Sequence, residues 1–265
     1  MGCDDVECLT GLLSRRYVLL AALADGPRTK SELESALGVS RSTIDRAVRS
    51  LEEEDVVHRG TDGVGLTLLG RIALDGYRQF RSGLGGLVKA RPLVSSTDHE
   101  AAIPFELFER ADVINANRQS PHRPIVGLQQ FLEDASTVRS IATAVLPDYV
   151  QFYHTQIVDH GTDVELLVLS SILDELLATY WESMNDALST GRLTIYEMAE
   201  EPPYSLKIGE TDTTGETDKT EVSMVTYGDQ GVAGFVRSES DVAVEWAERL
   251  YQRTKTEATL VAPMD

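Results

Sequence analysis

The sequence is poor in cysteine. Only Cys3 and Cys8 occur among 265 residues, too few for a disulfide framework. No histidine lies near them to complete a zinc set. They read as a pair of reduced thiols on a mobile tail. Lysine is scarce too, with five against 19 arginines in a chain of net charge −19. Acid spread over every segment with so little lysine reads as halophilic. At molar salt the Debye length is about 3 Å, so self-repulsion is screened. Long apolar runs are missing. The longest, Val18 to Ala24, falls far short of the ~20 residues of a membrane span, so no membrane partner is expected. The opening MGCDDVECLT is acidic and lacks a basic n-region before a long apolar stretch. It therefore reads as no secretory signal, and it fits the myristoylation pattern poorly. The expected location is the cytoplasm.

Catalytic signatures are missing as well. There is no P-loop, no G-x-S-x-G, no HExxH and no dinucleotide fingerprint. Gly231 and Gly234 read as a turn between strands. His154 and His160 lack a partner at ligand spacing. Asp163 and Glu165 read as solvated residues at a strand start, and Trp181 and Trp246 as core or interface. No catalytic residue, metal ligand or cofactor is expected, and the chain does not read as an enzyme.

What is present begins with a charge asymmetry. Between Ser14 and Arg91 there are 13 Lys and Arg against 10 Asp and Glu, while the remainder carries 11 against 33. A locally cationic segment inside an acidic protein can still meet phosphate, because local charge governs that contact. Within this segment residues 14–24 read as a helix closed by Asp25-Gly26-Pro27. Residues 30–37 form a second helix. Gly38-Val39-Ser40 is a tight turn, with Ser40 as N-cap of a third helix over 41–54. Ile44, Val48 and Leu51 recur at i, i+4, i+7 and must face inward. The opposite face carries Arg41, Ser42, Asp45, Arg46 and Arg49. Two short extended runs, 56–59 and 64–67, flank a Gly/Asp turn and predict a hairpin. Three helices followed by a hairpin is the winged-helix order.

A recognition helix enters the major groove by its N-terminal end. Arginine pairs bidentately with guanine, and hydroxyls bridge to bases or phosphate. Arg41, Ser42 and Arg46 are thus expected at or near base edges, with Ser40 and Thr43 beside them. Arg49, Lys30 and Thr29 are phosphate candidates, and Arg59 would reach the adjacent minor groove from the wing. Glu52, Glu53, Glu54 and Asp55 must sit away from DNA.

Residues 68–87 predict a connecting helix in which Ala73, Tyr77, Phe80, Leu84 and Leu87 have the spacing of a coiled-coil seam. That seam would either dimerise or pack on its own C-terminal domain. Gly76, Gly83, Gly85 and Gly86 weaken it, each by roughly 1 kcal/mol relative to Ala. After a linker over 91–102, strands and helices alternate. Strands are expected at 113–116, 137–144, 164–169, 193–198, 204–208, 222–227 and 232–236. Helices are expected at 125–135, 147–160, 172–188 and 240–254, with a loose surface loop over 209–219. Repeated βα units imply a mixed, mostly parallel sheet flanked by helices. The fold class is therefore a two-domain α+β and α/β chain. Residues 12–70 form the winged helix, 71–102 the connector, and 103–265 an effector-sensing or dimerisation domain.

The stretch LGVSRSTIDRAVRSLEEEDVV, the wing and GLTLLGR resemble the winged-helix domains of archaeal regulators. The stretches IPFELFERADVINANRQSPHRPI, LPDYVQFYHTQIVDHGTDVELLV and YGDQGVAGFVRSESDVAVEWAERLYQR resemble predicted haloarchaeal regulators with a methanogenesis-regulator C-terminal domain. The layout of that domain is also similar to the sugar-sensing, phospholipase-D-like half of TrmB-type regulators. The H-x-K-x-D pair is missing, so phosphodiester hydrolysis is not implied. The resemblance implies a transcription factor that binds double-stranded DNA. The expected form is a homodimer on a pseudo-palindromic operator, its C-terminal domain sensing a small molecule or a partner. Two rival readings are a C-terminal enzyme with a winged-helix appendage, and a scaffold that contacts the transcription machinery without touching DNA.

Overall fold

A computed structural model describes residues 5–98, 100–212, 219–228 and 231–261. The chain divides into two compact units, Met1–Arg81 and Ser82–Asp265.

The first unit opens with α1, Val6–Ala22. It begins well before the expected position 14. The Asp5 carboxylate accepts the Cys8 amide at 2.7 Å and caps the helix, so the acidic start is a helix signal rather than a tail. Cys8 lies inside this helix and is disulfide-bonded, which corrects the expectation of a reduced thiol. Cys3 lies outside the described residues. Helix α2, Lys30–Leu37, ends on Gly38 in the left-handed region, and α3 spans Arg41–Glu52. The wing pairs β1, Val57–Gly60, with β2, Gly63–Leu66, in antiparallel register from Val57–Leu66 to Gly60–Gly63. Its second strand is tied, next to the turn, to the loop before α2. The Arg28 amide donates to the Val64 carbonyl at 2.9 Å, and the Val64 amide returns the bond at 2.8 Å. Gly63 is obligatory there. Its φ is +116°, and a Cβ would stand 2.3 Å from the Arg28 carbonyl oxygen. Leu20, Leu23, Leu33, Ile44, Val48, Leu51, Val56 and Leu74 fill the core of this unit.

Helix α4, Leu68–Lys89, runs two residues past the expected connecting helix. Its first turn is capped by Thr67, whose hydroxyl accepts the Gly70 amide at 2.9 Å. The predicted seam is not one surface. Ala73 and Tyr77 pack on the core of the first unit, and Leu87 packs on a core of the second. The apolar side chains left exposed are Leu68, Leu69, Ile72, Phe80, Leu84 and Val88. Part of the expected linker is also helical, as α5, Arg91–Ser95.

The second unit is a sheet covered on both faces. Its strands are β3 (Asp112–Asn115), β4 (Thr137–Ala142), β5 (Asp163–Leu169), β6 (Leu193–Met198), β7 (Ser205–Thr211), β8 (Lys219–Gly228), β9 (Gly231–Ser238) and β10 (Thr259–Leu260). The order across the sheet is β10-β6-β5-β4-β7-β8-β9-β3. It is mixed, as expected, but parallel pairing is confined to β4–β5 and β5–β6. The expected parallel majority is corrected because β7, β8 and β9 follow one another without a helix and pair antiparallel.

One face is covered by α6 (Arg123–Asp134), α7 (Pro147–His154), α8 (Ser170–Thr179) and α9 (Trp181–Ser189). The other is covered by α5, a short helical turn at Phe105–Phe108, and α10 (Asp241–Glu257). Two long helices expected from periodicity are interrupted. The 147–160 segment passes into a π-helical turn over Thr155–Asp159, and the 172–188 segment breaks at Tyr180. Of the expected loop, Gly209–Thr211 belongs to β7 and Lys219 to β8, while residues 213–218 lie outside the described residues.

Candidate nucleic-acid interface and an enclosed cavity

The inward stripe of α3 is buried as expected, with Ile44, Ala47, Val48 and Leu51 all closed to solvent. Burying that side fixes the rotation of the helix, so Arg41, Ser42, Arg46 and Arg49 are exposed together. Among the described residues none of the three arginines meets a carboxylate; the Arg46 Nε donates to the Ser42 carbonyl at 3.3 Å. Ser40 stands at the N-cap position but makes no side-chain cap bond. Its hydroxyl lies 3.0 Å from those of both Ser42 and Thr43. The Thr43 amide donates to the Ser40 carbonyl at 2.9 Å, so the amides ahead of it, those of Arg41 and Ser42, are the ones left for an outside acceptor, beside three hydroxyls and an arginine.

The remaining candidates are already engaged. Thr29 forms a capping box, receiving the Glu32 amide and donating its own amide to the Glu32 carboxylate at 2.7 Å. Those bonds hold the Glu32 carboxyl below its ordinary value. Lys30 is ion-paired with Asp45 of α3 and holds that carboxyl down as well. In the wing, Arg59 is bonded to Glu52 at 3.0 Å. The acidic end of α3 is therefore partly neutralised by the wing cation expected to reach a groove. Neither pairing is visible in sequence, because each joins residues on different elements.

In the second unit several polar side chains differ from expectation. Glu165 is not simply solvated, since it accepts from Tyr251 at 2.8 Å and from Lys255 at 2.6 Å. Asp163 is exposed and pairs with Arg192 at 3.0 Å. Trp246 packs in the core with its indole donating to the Ala102 carbonyl at 3.1 Å, while Trp181 is largely exposed. His154 lies 3.6 Å from Asp186. Among the described residues no group of three acidic, histidine or cysteine side chains could hold a metal ion, and no helix is long and apolar enough to cross a membrane.

Sequence reading missed one constellation. Under α7 and α9 the sheet lines a cavity with about 60 Å³ of room for the centres of water-sized atoms. Lys207 of β7 lines it and is only 2% exposed. A signal existed, because Leu206 and Ile208 alternate with one of the few lysines, which must then face the opposite covered side.

Two family models match the sequence. Residues 121–257 match the middle domain of the methanogenesis regulatory protein FilR1, and residues 3–85 match the HVO_A0261 N-terminal domain. A curated relative, the methanogenesis regulatory protein FilR1 of Methanothrix harundinacea (strain 6Ac), is 26% identical over 153 residues. The match takes in 56% of this chain but 34% of the relative, about a third of its length. Among solved structures, the archaeal chromatin protein TrmBL2 is 15% identical with a TM-score of 0.41, covering 96% of this chain and 99% of that one. Nuc from Salmonella typhimurium, a phospholipase D family member, is 12% identical with a TM-score of 0.43, over 57% of this chain and 98% of its own. The FilR1 middle-domain match, running through both covered faces of the large sheet, spans more than half of the sequence, and the chain belongs to that family.

Proposed function

We propose that this chain is a transcriptional regulator that binds double-stranded DNA through α3 and its wing. The observation that carries the reading is the exposed trio Arg41, Arg46 and Arg49, in no ion pair among the described residues, beside a helix N-terminus with no side-chain cap. Arg41, Ser42 and Arg46 meet base edges or the phosphates next to them, and Arg49 meets phosphate. Ser40 and Thr43 share the hydroxyl cluster at that entry point. Thr29 and Lys30 support α2 and α3 more than they offer charge to a duplex. The regulatory name of the curated relative agrees with this reading.

The working form is a homodimer on a pseudo-palindromic site, since one small module gives limited affinity. Exposed Leu84 and Val88, one turn apart near the end of α4, supply apolar side chains for pairing. Residues 12–70 serve as the DNA-binding module, 71–102 as the connector, and 103–265 as the effector domain.

The test is fluorescence anisotropy on genomic fragments selected by the purified protein. An Arg41→Ala, Arg46→Ala double variant with unchanged circular dichroism should lose site-specific binding. Retained site-specific binding would sink the assignment of this face.

A further inference from the structure

Two donors, Lys207 and Tyr149, line the cavity under α7 and α9. Lys207 extends from the middle of β7, and among the described residues its ammonium has no hydrogen-bond or ion-pair partner. Its Nζ lies 5.9 Å from the centroid of the Tyr149 ring. The Tyr149 hydroxyl, buried beside Tyr227, makes no hydrogen bond of good geometry. The neighbouring phenols are satisfied inside the protein. Tyr153 donates to the Ser140 hydroxyl at 3.3 Å, and Tyr227 lies 3.1 Å from the Ser205 hydroxyl. Buried polar groups are ordinarily paired, and an orphan in a native interior needs a reason.

The chemistry of the two orphans limits what could satisfy them. An ammonium has three donors and no acceptor, and a phenol in want of a partner can donate. A group that accepts from both and carries a negative charge completes the site. An ammonium or guanidinium ligand would add charge of the same sign as Lys207. Most of the remaining lining is apolar, with Ile157 and Met184 among its residues beside Tyr153, Tyr227, Ser183 and His154, so the body of the ligand must be largely apolar. Size sets the third limit. About 60 Å³ of room for the centres of water-sized atoms suits a molecule of a few heavy atoms. A free phosphate would fit by size, but it would leave most of its oxygens facing hydrocarbon.

We propose that this cavity binds a short aliphatic monocarboxylate, its carboxylate held by Lys207 and Tyr149 and its alkyl chain lying between α7 and α9. The inference rests on the reading of 103–265 as an effector domain and names its ligand class. Burial pushes the Lys207 ammonium down to about 7. A bound carboxylate restores the charge that burial opposes.

The test is isothermal titration of the full chain with propionate, butyrate and isobutyrate at millimolar concentration, against 1-butanol, butylamine and inorganic phosphate. At least one carboxylate should bind, and the alcohol, the amine and phosphate should not. Lys207→Met should weaken that binding about tenfold or more, the loss of a charge-assisted hydrogen bond. Tyr149→Phe should weaken it by a smaller factor while leaving the ring in place. Binding of butylamine or butanol as tight as butyrate, no binding by any of the carboxylates, or an unaffected Lys207→Met variant would each overturn the proposal. DNA binding, measured in parallel with and without the best carboxylate, separates the two readings. Carboxylate binding without any change in DNA affinity would leave the site standing and remove the effector role. Failure of carboxylate binding beside intact DNA recognition would remove the site alone.

Discussion

Replacing Lys207 with methionine should make the protein more stable at neutral pH. The side chain keeps its length and apolar stem, so the cavity wall is preserved, and only the ammonium goes. Burial holds that ammonium at about 7, against an ordinary 10.5. In this interval the unfolded chain carries a proton that the folded chain resists. Wild-type stability therefore rises with pH between the two values. The penalty is absent well above 10.5 and complete below 7. At about 1.4 kcal/mol per pH unit, it amounts to roughly 4 kcal/mol at pH 7 and roughly 1 kcal/mol at pH 9.5. For a domain of this size, roughly 2–4 °C per kcal/mol converts the first figure into a Tm increase of about 8–16 °C. Calorimetric melts of both proteins at pH 7 and pH 9.5, in identical salt, give the comparison. The variant should lead at pH 7 and lose more than half of that lead at pH 9.5. A variant no more stable than wild type at pH 7, or a lead that does not shrink with pH, would refute the buried-charge argument.

The glycines of α4 should divide into two kinds. Gly76 has open space where a Cβ would stand, so Gly76→Ala should stabilise by about 1 kcal/mol in urea melts. At Gly86 a Cβ would lie 2.1 Å from the Phe108 carbonyl oxygen, so Gly86→Ala should cost about 1–3 kcal/mol by the same assay. Arg237 pairs with the buried Glu221 and, at 2.9 Å, with Asp134. Arg237→Ala should cost roughly 2–4 kcal/mol in the same melts, somewhat softened because Lys219 also reaches Glu221 at 2.6 Å. For the DNA face, Arg49→Ala should lower the slope of log affinity against log salt by about 0.9 in anisotropy titrations, without changing the preferred site. A changed preference there would place Arg49 on a base instead.

Much of the first unit was legible because it rests on local patterns. The Ile44, Val48, Leu51 stripe fixed the orientation of α3, and the glycines bracketing Thr61-Asp62 announced the wing. The start of α1 was not legible by composition, since an acidic decapeptide resembles a tail until Asp5 is recognised as a cap. The roles of Lys30 and Arg59 depend on Asp45 and Glu52 being brought across from α3, and a linear pattern carries no such distances. Strand direction is also tertiary. The βα alternation marked the parallel β4–β5–β6 core, but the run β7–β8–β9, with no helix between strands, was already a hairpin signature. Lys207 escaped notice because a lone lysine in a strand ordinarily faces water. Only the cover supplied by α7 and α9 turns it into a buried cation.

The paired main-chain bonds between Arg28 and Val64 bear on how a duplex is accommodated. They staple the wing to the loop that launches α2, so the span between wing and recognition helix is set like the jaws of a locked calliper. A locked calliper does not flex to suit the object it grips. In the proposed complex, the yielding partner would be the DNA, and base steps that kink or narrow easily would be favoured beneath the wing even where no side chain touches them.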